Sequence, residues 1–383
     1  MSDDDAPPHE RLLLAARFSQ AAYGIRDDCS ERQPGVDTAR WTKLLEQPDD
    51  ARRAQALAFV GPTGPPALSQ KYLEDGTIGI CDAILQIMAT EAAATLISHF
   101  RNSMNGGASL WLLPARRTVV LAWKGSQQAQ DWLQDGKICR HEWAPDRREE
   151  ISPSGLSGLG ARWSFGRMLN FRDVGVGGLP LPVPCFDDME ASHHMVHRGF
   201  LEQYEYDDLP AKVNQAVSTL LRAHEGFALL VTGHSLGGAL AHLSAFELAG
   251  MHPAVECRLD TFGCPRVGNG FFVQALQALP NLRAYRVQNG LDPITRGPLV
   301  GYSHAGRHVW LKDGAAIVAS AVGEGPDEAT RAYVRLGLFG PSPSTSFDPF
   351  HHSLDDGSSG SSSGYVPHLL RCAQLSECRV EGP

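Results

Sequence analysis

Cysteine is scarce in this chain. It supplies 8 of the 383 residues, and no two cysteines form a C-x-x-C pair. So low a density excludes a small domain held together by disulfides and leaves room for one or two bridges. We expect most of the thiols to be buried; they are Cys29, Cys81, Cys139, Cys185, Cys257, Cys264, Cys372 and Cys378.

Long hydrophobic runs are missing as well. The longest uncharged apolar stretch late in the chain, residues 314–323, is far shorter than the roughly 20 residues that cross a bilayer, so no transmembrane segment is expected. Near the N-terminus, residues 12–16 are apolar but lie between Arg11 and Arg17, which does not match a signal peptide. We therefore expect a cytoplasmic protein, or a secreted one if a leader was removed.

Positive charge is not concentrated anywhere in the chain. Lys and Arg number 34 against 43 Asp and Glu, which gives a net charge of −9. This balance argues against a nucleic-acid partner and against a surface held to anionic lipid by charge. With 43% hydrophobic and 20% charged residues, the composition is that of an ordinary globular protein rather than of a disordered chain or a coiled coil.

The apolar pattern predicts a helical layer followed by alternating strands and helices. Helical spacing over residues 11–23, 38–59 and 80–100 predicts that residues 9–110 form the layer. Short continuous runs of β-favouring residues follow at 118–123, 228–232, 255–262 and 282–287, as in strands buried on both faces. Helices are predicted between them at 209–224, 236–248 and 270–279. The alternation favours one α/β domain, spanning residues 1–383, with a mostly parallel sheet.

Two stretches interrupt this alternation. Residues 136–195 carry Pro, Gly and scattered aromatic residues without a clear period, and we interpret them as an insertion near a functional site, where some of the aromatic side chains line a pocket. Residues 357–364 read GSSGSSSG, which is the composition of a flexible linker.

The strongest local signal is the segment GHSLGG at residues 233–238. It follows the predicted strand 228–232 and precedes an apolar helix, which is the context that a G-x-S-x-G nucleophile turn requires. Glycine on either side of Ser235 lets strand and helix approach closely. The free amide of Leu236, at the helix N-terminus, is placed to stabilise negative charge on a reacting oxygen. Ser235 is therefore the candidate nucleophile of an α/β-hydrolase.

The same architecture orders its partners as serine, acid, histidine along the chain. Asp292 follows the predicted strand 282–287 and is the candidate acid. Several histidines lie further on, and position along the chain does not choose among them; they are His304, His308, His351, His352 and His368.

Four segments in order resemble the class 3 lipases, a family typified by filamentous-fungal triacylglycerol lipases. They are KGS at 124–126 with DWL at 131–133, HRGF at 197–200, GHSLGG at 233–238 and TFGCPRVGN at 261–269. The resemblance covers residues 11–24, 116–135, 195–311 and 350–370. It implies an α/β-hydrolase fold and an ester hydrolase that needs no cofactor.

The resemblance also assigns roles by position. It implies Asp292 as the acid and His352 as the base, with His351 as a fallback and His304 as a structural histidine. The family's tyrosine after the base corresponds to Tyr365, from which His352 is separated by the GSSGSSSG segment. The second oxyanion donor falls on Ser126, beside Leu236, and residues 127–135 with Trp132 and Leu133 become a mobile lid.

A metal site is a weaker interpretation of another segment. Cys185, Asp187, Asp188, His193, His194 and His197 are close together in sequence, but no standard ligand spacing is met, and His197 belongs to the family's H-x-G-F strand. We expect no metal. His234, next to the serine, is expected to be a packed residue of the turn rather than a second base.

Together these observations predict a serine carboxylic ester hydrolase, a lipase or esterase. It is expected to cleave acylglycerol-type esters through an acyl-enzyme, with an apolar ester as partner and transient contact with a lipid interface. Phospholipase A1 and feruloyl-type esterase are alternatives of the same class, because a fold does not fix a substrate. A catalytically silent, lipase-like binding or signalling protein is the alternative of a different class.

Overall fold

A computed structural model of the chain describes part of its residues. The described residues are 9–23, 87, 91, 94–104, 106–125, 140–143, 175–176, 179–180, 193–290, 292–298, 301–312, 315–322, 352, 354, 364–375 and 378–381.

The strands are numbered in chain order. They are β1 (Thr95–Arg101), β2 (Gly107–Leu113), β3 (Thr118–Trp123), β4 (Arg140–Glu142), β5 (Gly175–Val176), β6 (Leu179–Pro180), β7 (Met195–His197), β8 (Ala228–His234), β9 (Cys257–Phe262), β10 (Leu282–Asn289), β11 (Arg307–Lys312), β12 (Ala315–Val322) and β13 (Cys378–Glu381).

The α-helices are α1 (His9–Ala21), α2 (Arg198–Glu205), α3 (Leu209–Ala223), α4 (Leu236–Met251), α5 (Gly270–Gln277) and α6 (Tyr365–Leu375). Short 3₁₀ helices span Pro114–Arg116, Tyr206–Asp208 and Ile294–Arg296.

One nine-stranded sheet forms the centre of the molecule, with strand order β1-β2-β3-β8-β9-β10-β11-β12-β13. The strands from β3 to β11 in this order are parallel to one another. Strands β1 and β2 pair antiparallel with their neighbours, and β12 is antiparallel to β11 but parallel to β13. The central strands are apolar along their whole length because helices cover both faces. In β3, for example, every residue after Thr118 is buried.

Two hydrophobic layers lie against the sheet. On one face, α1 and α6 pack over side chains such as Val120, Leu230 and Val287. On the other face, α2, α3, α4 and α5 pack over Val119, Leu229 and their neighbours. Helix α4 lies directly after β8 and is buried on nearly all sides, which explains its almost uniformly apolar sequence. This arrangement of a mostly parallel sheet between helices is the α/β-hydrolase fold that the sequence predicts.

The predicted helical layer over residues 9–110 is wrong in its last part. Helix α1 confirms the helix predicted at 11–23, and the one at 38–59 lies outside the described residues. The helix predicted at 80–100 does not reach residue 100, because Thr95–Arg101 is strand β1 and pairs antiparallel with Gly107–Leu113. The run of apolar residues in β1 is too short to distinguish the helical period from the strand period. Pairing with β2 makes it a strand.

The H-x-G-F segment also differs from the expectation. His197 ends β7, but Gly199 and Phe200 belong to helix α2 rather than to a strand. The His197 ring caps this helix by accepting hydrogen bonds from the amides of Gly199 (3.1 Å) and Phe200 (3.4 Å). Capping orphan amides at a helix start is the usual work of a polar side chain at that position.

Among the described residues, the burial of three cysteines and the length of the helices can be compared with the predictions. Cys257, Cys264 and Cys372 are buried thiols. No helix among the described residues is both long enough and apolar enough to span a bilayer.

Candidate active site

The turn between β8 and α4 lifts Ser235 above the edge of the sheet. Its backbone has φ 58° and ψ −128°, a conformation that an L-residue adopts only under strain. The turn closes because a Cβ at Gly233 would collide with the carbonyl of Gly237, and a Cβ at Gly237 would collide with that of Trp123. The two glycines therefore permit a close approach that other residues prevent.

Three side chains predicted to act together lie in one hydrogen-bonded line. His352 Nε2 is 3.0 Å from Ser235 Oγ, and His352 Nδ1 is 2.8 Å from Asp292 Oδ2 and 3.0 Å from Oδ1. Ser235 and Asp292 are buried, and the His352 side chain is 17% exposed. The sequence places these residues 57 and 60 positions apart, and the fold brings them into contact.

The Asp292 carboxylate has further donors besides the histidine. The Tyr365 hydroxyl donates to Oδ2 at 2.7 Å, and the Ile294 amide donates to Oδ1 at 2.9 Å. Burial raises the pKa of Asp292, but the His352 ring and these hydrogen bonds outweigh burial and hold the pKa below its ordinary value. Asp292 is therefore ionised and acts as an acceptor.

The ionised carboxylate fixes the tautomer of the histidine. Because Asp292 accepts a hydrogen bond from His352, the proton of the neutral ring lies on Nδ1. His352 Nε2 then carries a lone pair and faces the Ser235 hydroxyl. This is the geometry in which an imidazole takes a proton from a serine.

A second hydrogen-bonded line holds the backbone of His352. His234 Nε2 is 2.7 Å from the His352 carbonyl oxygen, which only accepts, so Nε2 carries the proton. The Tyr23 hydroxyl then donates to His234 Nδ1 at 2.9 Å. Burial, followed by the nearby His352 ring, lowers the pKa of His234 to about 3, and the ring is neutral. Through this line the end of α1 is linked to the backbone of His352.

The oxyanion donors predicted from the sequence are described only in part. Leu236 is the first residue of α4, where backbone amides have no acceptor inside the helix. Ser126 lies outside the described residues, but Gly125 before it is packed against the serine turn. A Cβ at Gly125 would collide with the Tyr23 hydroxyl and lie 2.6 Å from the His234 carbonyl oxygen. The end of β3 and the serine turn are thus in direct contact.

Part of the chain matches a known protein family. Residues 120–302 match the model of the family described as Lipase (class 3). Residues 120–302 thus belong to the class 3 lipase family.

Curated relatives of this chain match over part of their length. A secreted mono- and diacylglycerol lipase 1 of Fusarium solani is 40% identical over 121 residues, which cover 31% of this chain and 35% of the relative. A phospholipase A1-II 1 of Oryza sativa subsp. indica is 27% identical over 221 residues, covering 54% of this chain and 46% of the relative. The chain therefore spans less than half the length of these two curated relatives.

Solved structures of fungal lipases are similar over more of the chain at lower identity. Lipase II from Rhizopus niveus is 18% identical, with a TM-score of 0.48, and the match covers 80% of this chain and 93% of that one. The mono- and diacylglycerol lipase from Aspergillus oryzae is 13% identical, with a TM-score of 0.48, covering 80% and 81%.

The other histidines that the sequence offers as the base have different partners. His304 is half-buried, and its Nε2 bonds to the Thr295 carbonyl oxygen at 2.8 Å rather than to Ser235 or Asp292. His368 Nδ1 bonds to Asn289 Oδ1 at 2.8 Å, and His308 is buried in β11. His351 lies outside the described residues.

The linker after His352 does not separate the tyrosine from the site. The Val366 amide donates to the Leu354 carbonyl oxygen at 2.9 Å, so the residues before and after the linker are joined by a backbone hydrogen bond. Tyr365 is thereby held at Asp292. The sequence marks Tyr365 as part of a motif but not as a partner of the acid.

Other predicted features include residues that lie outside the described part of the chain. Trp143 is buried among Tyr204, Phe246 and Phe272 and belongs to the core rather than to a pocket, while Trp163, Phe165 and Phe171 are not described. The proposed lid, residues 127–135, is also outside the described part. Where the chain is described, no three His, Cys, Asp or Glu side chains cluster in a way that could hold a metal ion.

Proposed function

We propose that this class 3 lipase hydrolyses carboxylic esters of the acylglycerol type through a covalent acyl-enzyme. The proposal is carried by one observation, the continuous line of hydrogen bonds from Ser235 Oγ through His352 to Asp292. Ser235 is the nucleophile, His352 the general base and acid, and Asp292 the residue that orients the ring.

Acylation begins when Ser235 Oγ attacks the ester carbonyl carbon and its proton passes to His352 Nε2. The ring is then a cation, which the ionised Asp292 stabilises at Nδ1. Collapse of the tetrahedral intermediate breaks the bond to the alcohol, which leaves with the proton from His352. The acyl group stays on Ser235.

Deacylation repeats the same steps with water as nucleophile. His352 takes a proton from the water, the oxygen attacks the acyl carbon, and the proton returns to Ser235 as the carboxylic acid leaves. In both halves we assign the oxyanion to the amides of Leu236 and Ser126; one such donor contributes about 2.7–4 kcal/mol to transition-state stabilisation.

The substrate class follows from similarity and is the finer part of the proposal. The relatives are named as mono- and diacylglycerol lipase and as phospholipase A1-II 1, so glycerolipid esters are the common chemistry. We assign acylglycerols first and the phospholipid acyl ester second. We also propose that residues 1–383 form one hydrolase domain, with 136–195 as an insertion.

The test compares hydrolysis of p-nitrophenyl esters, from acetate to palmitate, by the wild type, Ser235→Ala and His352→Ala. We expect both variants to lose about 10⁴- to 10⁶-fold in kcat, since members of a triad act as a unit. Ser244→Ala, on the buried face of α4, and His224→Ala, at the end of α3, are the matched controls and keep wild-type rates.

A fluorophosphonate probe separates the enzyme from a silent scaffold. Labelling of Ser235 in the wild type, and its loss in His352→Ala, supports the proposal. A wild type that neither reacts with the probe nor hydrolyses any chain length contradicts it. Dioleoylglycerol and a dioleoyl phosphatidylcholine vesicle, supplied separately, then rank the two substrate classes.

A further inference from the structure

A cavity of about 400 Å³ lies on the far side of the molecule from Ser235. It is bounded by the start of α1 and by the first residues of β3, β8 and β9, whereas Ser235 and Asp292 follow the last residues of β8 and β10. The length of β8 alone separates it from the serine by about 20 Å. Its volume is in the lower part of the range of small-molecule pockets, about 300–1,000 Å³.

The floor of the cavity is apolar. In a strand, alternate residues share a face, and Val120 and Leu230 face the α1 side of the sheet. Leu14 of α1 and Leu113 of β2 complete the floor. A small inorganic anion would leave this surface unfilled, so the shape and chemistry fit an aliphatic chain.

Three arginines line the same cavity, and none of them uses all of its N–H groups on the described residues. Arg11 uses Nε and Nη2 on Asp260, Arg116 uses Nε on Glu91, and Arg258 uses Nε and Nη2 on Glu256. Nη1 of each guanidinium donates no hydrogen bond to a described residue. A planar guanidinium with free N–H groups is suited to a carboxylate.

The hydrogen-bond donors of the cavity fit an anionic head group. The described residues that line it include three arginines, each ion-paired with a carboxylate, and one acidic residue, Glu10. Two of the carboxylates that pair with these arginines, Asp260 and Glu91, are 0% and 3% exposed and do not line it. The cavity therefore presents guanidinium edges above an aliphatic floor.

We propose that this cavity binds the carboxylate of a single-chain fatty acid, with the chain on the floor and the head group at Arg116 and Arg258. Binding itself does not depend on the reaction at Ser235. Its meaning as a product site does rest on the proposed function, since ester hydrolysis releases this class of molecule.

The experiment uses dodecanoate that carries a diazirine near its methyl end, photolysed with the full-length chain at pH 8 below the micelle concentration. Labelled peptides are mapped by mass spectrometry, and unlabelled dodecanoate is titrated calorimetrically. Ala228→Leu narrows the cavity, because Ala228 shares the face of Leu230, and Arg258→Gln removes a head-group partner whose own carboxylate, Glu256, is half exposed. Arg198→Gln, in a partly exposed ion pair on α2, is the matched control.

We expect label on residues 10–14, 113–120 or 228–230, reduced at least fivefold by Ala228→Leu and by Arg258→Gln and unchanged by Arg198→Gln. Dodecyltrimethylammonium should not compete. Label confined to residues 233–238 and 261–269, or label that neither variant reduces, overturns the proposal. So does equal competition by the cationic amphiphile, or tenfold stronger competition by dodecyl phosphate, which assigns the head group to a phosphate.

Failure of this proposal is distinguishable from failure of the proposed function. Photolabelling reports binding without turnover, and p-nitrophenyl acetate hydrolysis reports turnover without this cavity. Both cavity variants should hydrolyse that ester at the wild-type rate, because neither residue is near Ser235.

Discussion

Asp292 is held by hydrogen bonds from three different parts of the chain, and the Tyr365 hydroxyl is the donor that one substitution removes cleanly. We expect Tyr365→Phe to lower kcat/KM about tenfold, because a hydrogen bond to a charged group contributes about 1.5–3 kcal/mol. The pKa of Asp292 rises when this donor is lost, so the acid limb of kcat/KM should move to higher pH. Steady-state rates from pH 4 to 9 measure both effects.

Tyr206→Phe is the matched control for that substitution. Tyr206 is 46% exposed at the end of α2, and losing its hydroxyl should change neither the rate nor the profile. If Tyr365→Phe lowers the thermal midpoint but leaves kcat/KM and the acid limb unchanged, the hydroxyl only stabilises the fold.

A functional residue can be predicted from the sequence when the pattern that marks it lies in the residues next to it. Ser235 is predicted from its own strand, turn and helix, and Asp292 from its place after the next strands. His352 follows only from resemblance, because five downstream histidines satisfy the same order. The sequence does not predict that Tyr23 contacts His234, since the two are 211 residues apart and are brought together by the packing of α1 against β8.

The strands show the same contrast: some are predicted from their own residues, and others are fixed by pairing with another strand. The core strands β3, β8, β9 and β10 are predicted because burial on both faces makes them apolar throughout. Strand β1 is not, since it lies at the edge of the sheet, mostly half-buried, and is fixed by pairing with β2. Strand β13 is also missed, because Cys378–Glu381 is too short to show a period before it pairs with β12.

The GSSGSSSG linker before α6 allows a test of whether the linker itself or the hydrogen bond across it positions Tyr365. Leu354 and Val366 are joined by a backbone hydrogen bond. Deleting residues 356–363 leaves three residues between them, so the same bond becomes an i to i+4 bond of a helical turn. We expect kcat/KM to stay within about threefold of wild type and stability to change by less than about 1 kcal/mol, as for other loop shortenings.

A deletion longer by two residues is the control. Removing residues 355–364 joins Leu354 directly to Tyr365, so the Leu354 to Val366 bond cannot form and Tyr365 is drawn away from Asp292. This variant should lose more than tenfold in kcat/KM. Equal activity of both deletion variants would show that the bond does not position Tyr365.

Across the whole molecule, several histidines are buried without charge. Burial lowers the pKa of His197 and of His242 to about 4 and that of His234 to about 3. In the unfolded chain each takes up a proton near pH 6.5, whereas the folded chain resists it. The unfolded state thus binds more protons between pH 6.5 and 4, and the free energy of unfolding falls as pH is lowered through that window.

His197→Asn isolates one contribution to this acid sensitivity. Asparagine still caps α2, because its side-chain oxygen accepts from the same amides, but it does not titrate. A shift from 6.5 to about 4 corresponds to about 3 kcal/mol, so the wild type should lose about that much more stability than the variant between pH 7 and pH 4. Phe200→Leu, which removes the ring stacked on His197, should lower stability alike at all pH values. Urea unfolding at each pH measures the difference, and parallel curves for wild type and His197→Asn would show that another group carries the acid sensitivity.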